Sequence, residues 1–342
     1  MILLYRGIQV KVTIILPVYN KDKYLENTLE QIRNQTFKDF ECIMVDDGST
    51  DNSGKICDEF VKKDSRFKVF HIKNDGVSHA RNVALDKAQG EYITFIDGDD
   101  EIYPQYIENL VSCLELNNAD FVIGGYEIFW DNNETLEYRL YDGENKLYTM
   151  EELLKTFAED QKKNGIYGYC CGKLFKSSLA ENVRFDENLK LAEDFDFYLK
   201  IYAKINTIYL DDKTYYRYRQ EAANSSFKVL DDRIDYMAQL KINLRYRDFL
   251  KSKGVFTADN KEIVTGRIND YVYFSLFHCP KDKLSERFDE LKKICRDENI
   301  ALNGNGAMQR IILSSLKHNF KFGVKAVLSI YRGLRALKNK IR

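Results

Sequence analysis

Four short segments of the 342-residue chain concentrate side chains able to do chemistry. The sharpest is Asp97-Gly98-Asp99-Asp100, which follows the apolar run Tyr92–Ile96. Two carboxylates one residue apart at a strand end reach a single hard cation. Mg²⁺ or Mn²⁺ takes oxygen ligands and bridges carboxylates to phosphates. The same residues also suit a solvated acidic turn. Pro17-Val18-Tyr19-Asn20 and Asp46-Asp47-Gly48-Ser49 each end another apolar run. A Tyr offers a flat face to a base and an Asp accepts the imide N–H of uracil, although ordinary turn chemistry favours the same residues. In Asn74–Asn82, Gly76 precedes a helix start and Arg81 falls in its first turn. A helix N-terminus with an Arg holds negative charge such as a diphosphate, and a capped surface helix is the plainer alternative. Last, Glu193-Asp194 precedes the aromatic helix start Phe195-Asp196-Phe197-Tyr198. That pair either complements the helix dipole or supplies a general base.

The elements around these segments alternate. Strand signals at Val12–Leu16, Phe40–Val45, Phe67–Ile72 and Tyr92–Ile96 are interleaved with helical patterns. Leu25, Leu29 and Ile32 mark the first helix, Ile56 and Phe60 the second, and Ser78–Ala88 the third, stopped by Gly90. Pro104 opens a fourth helix with Ile107, Leu110, Val111 and Leu114 on one face. Such alternation predicts an α/β fold, a mostly parallel sheet with helices on both faces. Ligands bind beyond the carboxyl ends of strands in these sheets, where both Asp-rich clusters fall. Further on, Phe121–Trp130 reads as a strand, and Thr149 with Glu152 as a capping box. Phe195–Ile205 reads as a helix and Thr207–Arg219 as paired strands. From about Asp231 the pattern is helical, with turn signals near Gly254, Pro280 and Gly304. The expected division is 1–228 for the α/β domain that carries all of these segments and 229–342 for a helical C-terminal region.

Composition narrows the classes. With 52 Lys+Arg against 53 Asp+Glu, bulk positive charge for nucleic acid is absent. Aromatics are abundant, with 23 Tyr and 21 Phe, a content that suits core packing first and ligand grooves second. Seven Cys form no C-x-x-C, which argues against a disulfide framework and for a reducing compartment. Four scattered His make a zinc site unexpected. No apolar run approaches 18 residues, and Arg6 and Lys11 interrupt the N-terminal one, so the expected location is the cytoplasm.

Taken in order, the segments resemble the family 2 glycosyltransferases. The matching residues are Val12–Asn20, Gln35–Phe37, Val45–Asp51, Gly76–Asn82, Phe95–Asp100 and Glu193-Asp194, spread over roughly 10 to 220. Gly172-Lys173-Leu174-Phe175 and Tyr216–Arg219 are similar to segments of bacterial capsule and exopolysaccharide members. The resemblance implies a GT-A fold and inverting transfer from a UDP-sugar to a hydroxyl of a lipid-linked glycan acceptor. It implies a uridine pocket lined by Pro17, Val18 and Tyr19, with Asp47 on the uracil edge and Asp46 supporting it. Gly76 and Arg81 would help place the donor. Asp97 would contact ribose or order its loop, Asp99 would ligate Mn²⁺ or Mg²⁺, and Asp100 leaves that ligand open by one residue. Asp194 would be the general base, with Glu193 beside it. Lys173, Arg217 and Arg219 would meet the diphosphate or the acceptor. A sugar nucleotidyltransferase shares the layered architecture, but its Gly-rich phosphate loop is replaced here by Pro17-Val18-Tyr19. A non-catalytic assembly protein is the other alternative, set against four intact acidic positions.

The neutral total also hides an asymmetry. Residues 310–342 carry nine Lys/Arg and no Asp/Glu. Val324, Val327, Leu328, Tyr331 and Leu334 trace a helical stripe beside Lys321, Lys325 and Arg332, while Arg335, Lys338 and Arg342 drift toward it. A basic amphipathic helix suits the anionic inner face of a membrane, and a helix docked on the protein is the alternative.

Overall fold

The computed structural model describes residues 10–130, 135–139, 145–220 and 234–341, with only the backbone described for 135–139 and 333–341. Two compact units divide the chain, Met1–Ser225 and Ser226–Arg342. The expected boundary at 228/229 lies outside the described residues, as do Arg6, Arg342 and the side chains of Leu334, Arg335 and Lys338.

In the first unit β1 (Val12–Val18), β2 (Phe40–Asp46), β3 (Phe67–His71) and β4 (Tyr92–Phe95) run parallel in the order β3-β2-β1-β4. The crossovers are α1 (Asp22–Arg33), α2 (Ser53–Lys63) and α3 (Val77–Lys87). Every residue of β1 and β2 is buried, as expected for strands covered on both faces. Leu25, Leu29 and Ile32 of α1 are fully buried against that core, as the spacing predicts. Strand order reverses at β1, so the ends of β1, β2 and β4 frame a crevice.

The sheet continues with β5 (Glu101–Ile102), β6 (Phe121–Trp130), β7 (Thr135–Arg139), β8 (Lys146–Thr149), β9 (Lys173–Lys176) and β10 (Thr207–Gln220), giving ten strands. Between them lie α4 (Tyr106–Leu116), α5 (Met150–Leu154), α6 (Phe157–Lys163) and α7 (Glu193–Tyr202). Ile107, Leu110, Val111 and Leu114 are all buried on α4. The capping box at Thr149 and Glu152 is formed in both directions.

Two expectations change here. Thr207–Arg219 is one long strand rather than a pair. Register shifts between Leu210 and Tyr216 let it run beside β6 while meeting β8 at one end and β5 at the other. Helix α7 also starts earlier than expected, so Glu193 and Asp194 are its first two residues.

The second unit is helical: α8 (Tyr236–Ser252), α9 (Ala258–Phe277), α10 (Leu284–Asp297), α11 (Ala307–Lys317) and α12 (Lys321–Ile341). Its boundaries fall at the expected turns. The apolar stripe of α12 is committed inside this unit, because Val324 and Leu328 are buried and Tyr331 meets the ring of Phe277 at 5.0 Å. Arg332 donates to the carbonyls of Phe277 and Cys279. That packing corrects the expectation that this stripe faces a membrane. All seven cysteines are free thiols. No helix among the described residues is long and apolar enough to cross a membrane.

Candidate active site

A cavity of about 510 Å³ opens at the ends of β1, β2 and β4. Pro17, Val18, Tyr19, Asp47, Gly76, Arg81, Asp97, Asp99 and Arg219 all line it, together with Lys21 and Tyr218. Tyr19 is 47% exposed, an aromatic face left open beside buried strands.

The loops on the β2 side are latched to one another. Asn20 Oδ1 accepts the Thr50 amide at 2.8 Å, and Ser49 Oγ accepts the Asn20 amide at 3.1 Å. Ser53 Oγ takes the Lys21 amide at 2.8 Å, and Asp51 takes that of Asp22 at 3.1 Å. The Ser, Thr and Asp of Asp46–Asp51 thus fix the loop that carries Asp47. Gly48 has φ 68°, and a Cβ there would come within 2.8 Å of the Asn74 amide. Asp47 is buried and accepts the amides of Asp75 and Gly76 at 2.8 and 2.9 Å. It clamps the turn that enters α3, whose N-cap is Gly76 with φ 95°. Asp46 does not line the cavity. It accepts from the Ser49 amide and pairs with His71 Nδ1 at 2.8 Å, a supporting position.

Charge organises the other side. Arg81 sits in the second turn of α3 rather than the first, with its side chain 4% exposed. Its guanidinium donates to Asp194 at 2.7 Å, to Asp97 at 3.1 Å and to Glu193 at 3.4 Å. One buried cation therefore ties the acidic pair of α7 to the Asp97 loop. Burial and the neighbouring Asp194 push the Glu193 carboxyl up to about 7. Among the three aspartates at 97, 99 and 100, Asp100 is settled by its partners. It is 1% exposed and accepts from Tyr216 Oη at 2.5 Å and from the Arg219 amide at 2.8 Å. Burial, with Asp99 and Asp97 nearby, raises it well above the carboxylate range. Asp100 anchors the loop, and Asp97 and Asp99 face the cavity.

Several predicted residues are placed differently. Lys173 is fully buried on β9, donates to the carbonyls of Tyr169 and Cys171, and lies over the Tyr198 ring at 5.2 Å. Burial lowers its ammonium to about 8. It does not line the cavity, which corrects its expected contact with diphosphate or acceptor. Arg217 is held by Glu101 and Glu127 and lies over Phe129, so it too stands outside the lining. Arg219 lines the cavity but pairs with Glu101 and donates to the Asp99 carbonyl at 2.8 Å, which orders the acidic loop. Lys21, which contacts the Asp99 carboxylate, was not singled out in the sequence. Outside the cavity lining, Asp75, His79 and Glu187 bring ligand atoms within 4.8 Å of one another. Glu187 is also held there by Asn82 at 2.9 Å.

Fold and site define a sheet-end pocket with an aromatic face, a clamped carboxylate and a bridged acidic pair. The fold is that of TarS from Staphylococcus aureus. Its residues 1–349 in complex with UDP-GlcNAc align with a TM-score of 0.65 at 20% identity, covering 94% of this chain and 92% of that one. Residues 13–180 match the model of Glycosyl transferase family 2. The glycosyltransferase GlyG of Streptococcus pneumoniae is 33% identical over 214 residues, which cover 61% of this chain and 71% of GlyG. GlyA of the same species is 37% identical over 213 residues, but the match covers 30% of its length. The chain belongs to glycosyltransferase family 2.

Proposed function

We propose that this glycosyltransferase moves a hexose-type sugar from a UDP-sugar, with inversion, to a hydroxyl of a lipid-linked glycan acceptor in cell-surface polysaccharide synthesis. The carrying observation is Arg81, which joins the Asp97 loop of the donor cavity to the Glu193–Asp194 pair. The binding of UDP-GlcNAc by TarS supports a UDP-sugar donor.

Pro17, Val18 and Tyr19 line the uridine pocket, with the open face of Tyr19 toward the base, and Asp47 accepts the imide N–H. Asp97 lies toward the ribose. Asp194 takes the proton of the acceptor hydroxyl as its oxygen bonds to the anomeric carbon. The bond from that carbon to the diphosphate oxygen breaks on the opposite face, and UDP leaves. Arg81 aims the base through its bond to the Asp194 carboxylate. The donor set fits a divalent cation. Asp97 and Asp99 offer hard oxygens, burial raises Asp99 above its ordinary value, and a lysine ammonium already stands against it. Mn²⁺ or Mg²⁺ bound there would neutralise charge on the departing diphosphate.

The C-terminal unit supports work at an anionic membrane surface through residues other than the expected stripe. Phe322 is 72% exposed, and Phe320 and Ile330 are also exposed, with exposed Arg310 and Lys317 on α11 and exposed Lys325 on α12. Co-sedimentation with phosphatidylglycerol vesicles should fall in Phe320→Ser/Phe322→Ser, and equal pelleting would remove this part of the reading.

The main test is a UDP-sugar panel scored for UDP release with Mn²⁺, Mg²⁺ or chelator. One donor should be consumed, and chelation should stop it. Thermal stabilisation by sugar-1-phosphate with a nucleoside triphosphate, and none by UDP with Mn²⁺, would instead favour a nucleotidyltransferase.

A further inference from the structure

Lys21 is a poor choice for its position. It is the N-cap of α1, where Ser, Thr, Asp or Asn would accept an orphan amide, and it makes no side-chain cap. The residue before it, Asn20, has φ 51°, a left-handed conformation uncommon outside glycine. The backbone at this turn is nonetheless pinned, through the Lys21 amide to Ser53 Oγ and through Asn20 to Ser49 and Thr50. A strained turn with a poor cap is held in place, and from it a four-carbon arm reaches 78 residues along the chain to Asp99. Local preference is overridden at one residue, and that residue enters the donor cavity.

The contact is made with a cavity-facing carboxylate of the acidic loop. Asp100 is consumed by Tyr216 and the Arg219 amide, and Asp97 by Arg81. The Asp99 side chain is only 17% exposed, and the Lys21 ammonium is the positive group set against its carboxylate. Here that partner is an ammonium on a flexible stem, a compact charge that can swing, rather than a planar fork locked in two bonds.

We infer that Lys21 is an exchangeable internal counter-ion. It neutralises Asp99 before the donor arrives, then swings to the incoming diphosphate and leaves Asp99 to the divalent cation. The inference rests on the reading of Asp99 as a metal ligand and deepens it by setting an order of binding. A divalent cation alone must displace an ammonium already paired with its ligand. A cation arriving with a diphosphate meets no such competition, because the phosphate oxygens offer Lys21 a second anionic partner. Metal and nucleotide are thereby coupled, each raising the affinity of the other by the same factor.

Titration of the full chain with Mn²⁺, read by the electron paramagnetic resonance of free Mn²⁺, tests this with and without UDP. Lys21→Met should bind Mn²⁺ in the absence of UDP roughly tenfold more tightly than the unmodified chain. The factor by which UDP improves Mn²⁺ binding should shrink correspondingly. Lys21→Arg, which keeps the charge, should stay near the unmodified chain. Unchanged or weaker Mn²⁺ binding in Lys21→Met overturns the inference, as does an Arg variant that behaves like the Met one. Asp99→Asn separates the two levels. If it binds Mn²⁺ as the unmodified chain does, the assignment of Asp99 fails and the inference with it. Should Asp99→Asn lose Mn²⁺ while Lys21→Met changes nothing, only the counter-ion fails.

Discussion

The two sides of the cavity proposed for the donor hold their acids by different means. On the β2 side, Asp47 is held by neutral donors, the amides of Asp75 and Gly76. On the β4 side, Asp97, Glu193 and Asp194 converge on Arg81, and Asp99 meets Lys21. A carboxylate held by backbone amides has a fixed geometry that neither salt nor a swinging side chain disturbs. One held by a mobile charge can exchange that partner for a metal ion or a phosphate. The first arrangement suits a part of the donor that is only held, the second the part where charge moves.

The largest effect should come from the charge-held side. Asp194→Asn keeps the shape and still accepts from Arg81, but it cannot take a proton. Transfer should fall by about 10³-fold, within the range of a lost general base, while UDP affinity stays within about twofold. Near-normal turnover in this variant would remove Asp194 from the mechanism. Next is Arg81→Met, which leaves Asp97, Glu193 and Asp194 without their shared cation. A buried pair broken on one side costs about 3–5 kcal/mol, read as a shift in the denaturation midpoint. A loss under about 1 kcal/mol would show that the three acids do not depend on it.

Glu193 gives this side a pH signature. Its carboxyl is raised from 4.5 to about 7 by burial and by Asp194. Between those values the folded chain holds a proton that the unfolded chain sheds. The contribution to stability is therefore complete below about 4.5 and lost as pH rises through about 7. Glu193→Gln should lack this decline and gain about 2 kcal/mol on the unmodified chain between pH 5 and pH 8. Parallel stability curves across that window would refute it. On the amide-held side, Asp47→Asn replaces an acceptor-only group by one with two donors facing the Asp75 and Gly76 amides. UDP affinity should drop about tenfold, and the ratio should be the same at low and high salt, in contrast to the charge-held acids. A ratio that collapses with salt would erase the distinction between the two sides.

Much of this arrangement was legible because period and punctuation agree. The buried strands end in Asp–Gly turns, and the helices show Leu25, Leu29 and Ile32 or Ile107, Leu110, Val111 and Leu114 at helical spacing. These local signals do not depend on distant partners. Several of the misreadings concern residues whose partner is far along the chain. Asp100 is fixed by Tyr216, 116 residues away. Lys21 looks like any solvated lysine after a turn until Asp99 is seen beside it. The family resemblance makes Lys173 a ligand of the diphosphate or the acceptor, although it faces nearby carbonyls and the Tyr198 ring. The length of β10 was hidden because its register shifts break the alternation that marks a strand. In the helical unit the boundaries could be read from turns, but the orientation of α12 could not. Its stripe suits a bilayer or a neighbouring helix equally, and burial of Val324 and Leu328 decides for the latter.

The smallest predicted effect separates two adjacent acids. Asp46 and Asp47 are both buried, yet only Asp47 lines the cavity. Asp46 accepts the Ser49 amide at 3.1 Å and pairs with His71, whose ring is nearly half exposed. Asn at this position keeps the amide bond through its own carbonyl and loses only the charge. Asp46 first, then Asp58, raises His71 above its ordinary 6.5. That contribution is fully present below about 6.5 and lost as pH climbs through the raised value. Solvent screens a pair this exposed, so Asp46→Asn should cost under about 1 kcal/mol at pH 6 and less at pH 9, by urea denaturation. Its UDP affinity should stay within about twofold of the unmodified chain. A loss matching that of Asp47→Asn would mean that the β2 loop acts as one unit and that its two acids do not divide support from recognition.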